Sequence, residues 1–126
     1  MRGIIPGLGK AGVLLVLLLC MTGAYACKDT GLPIVSLANL PLEAAETYTL
    51  IQNGGPYPHT RDGIVFNNYE KRLPIAKRGY YEEYTVRTPG VKNRGARRLI
   101  VGGRLKPPAK YFYTDDHYKS FQCIQI

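Results

Sequence analysis

The 126-residue sequence predicts an α+β fold, with one N-terminal helix packed on a twisted antiparallel β-sheet. Three observations carry that expectation. One helical pattern, LPLEAAETYTLIQNGG, stands at residues 40–55. Everything after Gly54 is rich in Val, Ile, Tyr, Phe and Thr, punctuated by Gly, Pro, Asn and Asp, and no second helical pattern interrupts it. The length leaves room for one domain only.

Residues 1–26 stand apart from that domain. Arg2 and Lys10 give a positive start, VLLVLLL (13–19) an apolar core, and Ala24-Tyr25-Ala26 an A-x-A cleavage pattern. That is a secretory signal peptide cut after Ala26, so the expected product is a secreted, extracellular domain over 27–126 with no membrane span. The apolar stretch is too short for a span of ~20 residues. Cys27 would then stand first after the cut, which raises a lipoprotein anchor as the alternative; Ala24 occupies the place where a lipobox carries Leu. Cys20 leaves with the signal, and the two remaining thiols of an exported chain, Cys27 and Cys123, are expected to bond.

From Cys27 to Asn39 the chain reads as an arm or edge strand. The helix is expected from Pro41 to Gln52: proline suits the first turn, Glu43 and Glu46 favour the positive helix start, and Asn53-Gly54 supplies the stop. Ala44, Tyr48 and Ile51 share one face, which covers the sheet. Asp62-Gly63 marks a turn, Ile64 to Asn68 a strand, and YEKRLPIAKRG (69–79) an irregular return. YYEEYTVRT and RRLIVGG are strands joined across PGVKNRG; YFYTDDHY and SFQCIQI supply the last strand or two.

The chain carries 17 Lys and Arg against 9 Asp and Glu, a net charge of +8. Losing Arg2 and Lys10 leaves it basic, which favours anionic partners such as nucleic acid. No Cys/His ligand spacing for a metal is present. The stretch Tyr80–Arg98 gives the charge a chemistry. Residues of one parity share a strand face, so Glu83 points with Tyr81 and Thr85, while Arg94 and Arg98 share a side of the next segment. A hairpin would set one carboxylate among two guanidiniums, an arrangement that grips a phosphate and takes a proton beside it. A solvated hairpin with cross-strand ion pairs is the plainer alternative.

Two further pieces join it. Phe66-Asn67-Asn68-Tyr69-Glu70 leaves a strand with two aromatics and a carboxylate, the types that stack on a base and accept from guanine's paired N–H donors. Asp115-Asp116-His117-Tyr118 puts a histidine between an acid and a phenol. Together LPLEA, DGIVFNNYEKRLP, GYYEEYTVRTPG, NRGARRLIVGG and YTDDHY resemble the microbial guanyl-specific ribonucleases, the family of barnase and ribonuclease Sa.

That resemblance implies the microbial ribonuclease fold and a secreted endoribonuclease. Such an enzyme cuts single-stranded RNA 3′ of guanosine without metal or cofactor, through a 2′,3′-cyclic phosphate. It implies Glu83 as general base, His117 as general acid, and Arg94 and Arg98 as phosphate ligands with Tyr118. Glu70 is implied as the guanine-binding carboxylate, main-chain groups of Asn67 and Asn68 on the base edge, and Phe66 and Tyr69 flanking the base. The two arginines should favour ionised Glu83, with Glu82 and burial opposing; His117 beside Asp116 should be protonated across mildly acidic pH. A monomer, and an acidic protein inhibitor of barstar type, are further implications. The rival class is a non-catalytic secreted cationic module that holds RNA or another polyanion.

Overall fold

The computed structural model describes residues 26–126; the expected signal segment over 1–25 lies outside the described residues. Strand β1 is Ile34–Ser36, followed by a 3₁₀ turn over Leu37–Asn39 and the helix α1 over Leu42–Asn53. Then come β2 (Ile64–Phe66), β3 (Tyr81–Thr85), β4 (Arg98–Gly102), β5 (Lys110–Thr114) and β6 (Gln122–Gln125). All six strands form one sheet in the order β1-β6-β5-β4-β3-β2, antiparallel except at the edge, where β1 runs parallel to β6. The expected arm is that edge strand.

The helix sits one residue later than expected and is turned slightly. Its buried residues are Ala44, Thr47 and Ile51, so Thr47 takes the inner place expected for Tyr48. The Thr47 hydroxyl is satisfied there by donating to the Thr85 carbonyl at 3.0 Å, which offsets the cost of burying it. Tyr48 lies beside the seam, edge-on to Tyr111 at 5.1 Å. Gly54 ends the helix in the left-handed region (φ 75°), its N–H reaching Ile51 O and that of Gly55 reaching Leu50 O.

The sheet separates two apolar clusters by strand parity. On the helix face lie Ala44, Ile51, Tyr84, Val86, Leu99, Val101, Tyr113 and Ile124. On the other lie Cys27, Leu73, Tyr81, Ile100, Phe112, Phe121 and Cys123. Half of that second face is therefore a core in its own right. Cys27 and Cys123 are bonded, with Cα atoms 5.7 Å apart, and this pins the start of the arm over β6. A lipid anchor on Cys27 is incompatible with that bond.

What remains of the second face is polar. The register sets Glu83 beside Ile100, Thr85 beside Arg98, and Arg98 beside Thr114. Glu83, Thr85, Arg98 and Thr114 are all buried, 1–5% exposed. One end of a single sheet face is thus a core and the other a charged patch.

Candidate active site

Glu83 is in the middle of the central hairpin, where β2 covers one flank and β4 the other. Its carboxylate is 7% exposed and meets Nη2 of Arg94 at 3.3 Å through Oε1. Oε2 accepts a 2.9 Å hydrogen bond from the Tyr118 hydroxyl. The Tyr118 oxygen in turn accepts from Nε of Arg98 at 3.1 Å. One carboxylate therefore does sit between two guanidiniums, directly against Arg94 and through a phenol to Arg98.

The route to that arrangement differs from the expected one. Arg94 is not on a strand: β4 begins only at Arg98, and Arg94 comes from the preceding loop, where Thr85 Oγ1 accepts from its Nε at 3.0 Å. Arg98 is fixed by its own backbone surroundings, Nη1 donating to Arg97 O at 2.7 Å and Gly95 O at 3.1 Å. These bonds leave its Nη2 without a partner among the described residues. Burial, then the Glu83 charge, raises the Tyr118 pKa above the ordinary phenol value, so the phenol keeps its proton and remains a donor.

Glu82, expected to press negative charge on Glu83, points away from it. Strand alternation turns it to the opposite face, where Arg104 Nε meets it at 2.7 Å.

His117 and Tyr118 occupy the loop after β5, both left-handed at φ 56° and 72°. Neither is glycine, so each costs about 1–2 kcal/mol unless the surroundings enforce it. Asp116 supplies the enforcement. Its oxygens accept from Ser120 Oγ at 2.5 Å, Ser120 N at 2.9 Å and Thr114 Oγ1 at 2.8 Å. Those bonds, the Ser120 hydroxyl foremost, hold its pKa down to about 2. The His117 amide is tied to Ala96 O at 3.0 Å. Asp116 was expected to act on His117 directly; its carboxylate instead braces the loop that presents the ring.

The loop after β2 is closed differently. The expected strand to Asn68 stops at Phe66, because Asn68 is left-handed (φ 55°). Its amide bonds both ways with the Leu73 backbone, at 3.0 and 3.1 Å. Tyr69 and Glu70 are left projecting from the closed turn, Tyr69 81% exposed. Phe66 is stacked on Tyr118 at 5.2 Å, which couples the two loops.

These elements enclose a cleft of about 550 Å³ lined by Phe66, Asn67, Asn68, Tyr69, Glu70, Glu83, His117 and Tyr118. Arg94 and Arg98 are not on its wall; they stand behind Glu83 and Tyr118. Three cations that sequence reasoning missed are on the wall: Arg61, Arg72 and Lys119. Arg72 donates to Tyr118 O at 3.4 Å; its place two residues past Glu70 was the available signal. Asp62 was read only as a turn, yet it accepts from Thr85 N at 2.7 Å and His59 N at 3.2 Å, anchoring the strand that carries Glu83. Among the described residues, no group of three or more His, Cys, Asp and Glu could hold a metal ion.

The ribonuclease family model matches residues 23–125. Guanyl-specific ribonuclease St of Saccharopolyspora erythraea is 55% identical over 101 residues, covering 79% of this chain and 96% of the relative. Guanyl-specific ribonuclease Sa of Kitasatospora aureofaciens is 48% identical over 90 residues, covering 71% and 91%. Among solved structures, ribonuclease Sa2 in complexes with mononucleotides superposes with a TM-score of 0.72 at 45% identity, covering 78% of this chain and 98% of that one. Ribonuclease Sa2 with guanosine-2′-cyclophosphate gives 0.68 at 46% identity, covering 75% and 96%.

Proposed function

The chain belongs to the microbial guanyl-specific ribonucleases, and from that premise we propose which of its side chains perform each part of the reaction. It is a guanyl-specific endoribonuclease, cleaving single-stranded RNA 3′ of guanosine through a 2′,3′-cyclic phosphate. Glu83 takes the proton from the ribose 2′-hydroxyl as that oxygen attacks phosphorus. His117, on the same cleft, gives a proton to the departing 5′-oxygen. In-line transfer needs an acid and a base on opposite sides of phosphorus and fixed positive charge at the equatorial oxygens. Arg94, Arg98 and the Tyr118 hydroxyl supply that charge and the donors: Arg94 and Tyr118 touch the Glu83 carboxylate, and Arg98 is joined to it through the Tyr118 hydroxyl. No metal is required, because the RNA's own hydroxyl is the nucleophile.

Guanine is held at the loop closed by Asn68. Glu70 accepts from guanine's N1 and N2 hydrogens, backbone groups of Asn67 and Asn68 meet the base edge, and Phe66 and Tyr69 flank it. The observation that carries the reading is Glu83, His117 and Glu70 on one cleft. It also favours an enzyme over a cationic module that only holds RNA, for which a base and an acid facing one cavity have no use.

We further propose that the domain is exported, with the signal removed after Ala26, and that it acts as a monomer, since one chain completes the cleft. The positive ground behind Glu83 suits an acidic protein inhibitor of barstar type that mimics RNA phosphates. Incubation with RNA in EDTA tests the reaction: fragments should end in guanosine 2′,3′-cyclic phosphate. Uncut RNA, or ends without base preference, would overturn it.

A further inference from the structure

The catalytic cleft continues into a second basic surface. On the far flank of Phe66–Tyr69 lies a depression of about 310 Å³, sharing those four residues with the cleft and adding Lys71, Lys77, Arg78 and Tyr81. Lys77, Arg78 and Gly79 pass on into a groove of about 230 Å³ with Tyr80, Arg104 and Lys106. The three hollows abut in series. The second and third carry five cations against one carboxylate, Glu82, which Arg104 already holds. The side chains of Lys71, Lys77, Arg78 and Lys106 have no hydrogen bond or ion pair among the described residues.

Aromatic rings alternate with those charges. Tyr69 is 81% exposed at the start of the track. Further along, Tyr80 stands edge-on to Tyr81 at 4.8 Å and lies against Gly102 and Gly103, where a Cβ would come within 2.7 and 3.0 Å of its ring and hydroxyl. Cations that track a backbone, with rings between them for bases, describe a single-stranded nucleic-acid platform. Continuity with the cleft and a grooved shape favour RNA over a flat anionic membrane.

Direction follows from the cleft. Glu83 and His117 line only the cleft's side of the Phe66–Tyr69 loop. With the scissile 3′-phosphate at Glu83, the 5′ side of the guanosine leaves past that loop. We propose that the RNA strand 5′ of the cleaved guanosine is bound along the track formed by Lys77, Arg78, Tyr80, Arg104 and Lys106. This rests on the guanosine orientation given above.

The test compares kcat/KM on GpC, on GpC extended by oligouridylate on its 5′ side, and on GpC extended on its 3′ side. The parent should cleave the 5′-extended substrate on the order of tenfold better than GpC at low salt, an advantage that fades as salt rises. Lys77→Ala/Arg78→Ala/Lys106→Ala should lose that advantage and lower the salt slope by about 2, at ~0.7 per cation for a single strand. Its GpC cleavage should equal the parent's, which also shows that it folds. Equal loss on both extended substrates, loss on the 3′-extended one alone, or no loss would each overturn the track. So would loss of binding to anionic vesicles with RNA cleavage intact. GpC turnover reports on the reaction and the extension ratio on the track, so the two readings fail separately.

Discussion

The Tyr118 hydroxyl donates to Oε2 of Glu83 at 2.9 Å while accepting from Nε of Arg98 at 3.1 Å. A single phenol thereby joins the proposed base to the most deeply held arginine of the site, and the Phe66 ring stacked on it joins both to the guanine loop. Tyr118→Phe keeps the stacking and removes the relay. A hydrogen bond to a charged group is worth about 1.5–3 kcal/mol, so kcat on GpC should fall roughly ten- to a hundredfold with folding intact. Because burial and the Glu83 charge raise the Tyr118 pKa, and burial also raises those of Tyr48, Tyr81, Tyr84 and Tyr113, ultraviolet titration should show several fewer tyrosines ionising near pH 10 in the folded parent than in the unfolded chain.

Glu83 and His117 should define the two limbs of a bell-shaped pH profile of kcat/KM. General acid–base groups contribute about 10²–10⁴-fold each; Glu83→Gln and His117→Gln should each lower kcat by that much and remove one limb. The double variant should lose less than the product, since paired groups act as a unit. Near-parental turnover by His117→Gln would mean that another donor protonates the leaving oxygen.

Glu70 should choose the base and leave the bond-breaking step alone. Two hydrogen bonds to a charged acceptor amount to about 3–6 kcal/mol. Glu70→Gln should therefore collapse the preference for GpC over ApC while its residual cleavage still yields the cyclic phosphate. A preference as strong as the parent's would refute the assignment.

Asp116 should make the site loop acid-labile. Its folded pKa of about 2 lies below the ordinary 3.8, chiefly through the Ser120 hydroxyl. A folded value below the unfolded one means stability that is present above pH ~4 and lost as pH falls from there through 2. Asp116→Asn should unfold at lower denaturant than the parent at neutral pH, and the gap should narrow across that window. A pH-independent gap would show that the carboxylate's charge is irrelevant to the brace.

Cys27 and Cys123 should be found bonded in the exported protein. Intact mass should show the chain from Cys27 two hydrogens lighter than its reduced form, and alkylation without reductant should add nothing. Closing a loop this long by chain entropy is worth at most roughly 4–5 kcal/mol, so reduction should lower the midpoint of denaturation strongly.

The sequence made the periodic parts of this molecule plain. Strand parity set Glu83 with Thr85 on one face, the hairpin pairing then brought Arg98 to it, and the Gly54 stop located the helix end to within a residue or so. What it hid were the contacts made by loops. Arg94 reaches Glu83 from a turn that has no parity, and Asp116 serves the backbone around His117 rather than the ring. Neither follows from strand periodicity: Arg94 is held by the Thr85 hydroxyl across the hairpin, and Asp116 by Thr114 and Ser120 around a loop with two left-handed residues. The helix face was misjudged at Tyr48 for a related reason: the carbonyl of Thr85 makes a buried hydroxyl at Thr47 acceptable, and that partner is 38 positions away. Glu82 looked adjacent to Glu83 in sequence and proved to belong to the other side of the sheet.

The bond between Cys27 and Cys123 also turns nearly the whole described chain into a covalent ring. An exported polypeptide would meet proteases, and the exposed basic loops around Arg78 and Arg104 are where trypsin-like enzymes would cut. A single scission there opens the ring without releasing a piece. The six-stranded sheet spans the cut, so both halves of the cleft stay in register, and a nicked molecule keeps its mobility on a non-reducing gel. Two cuts, or one cut followed by reduction, are needed before a fragment can leave.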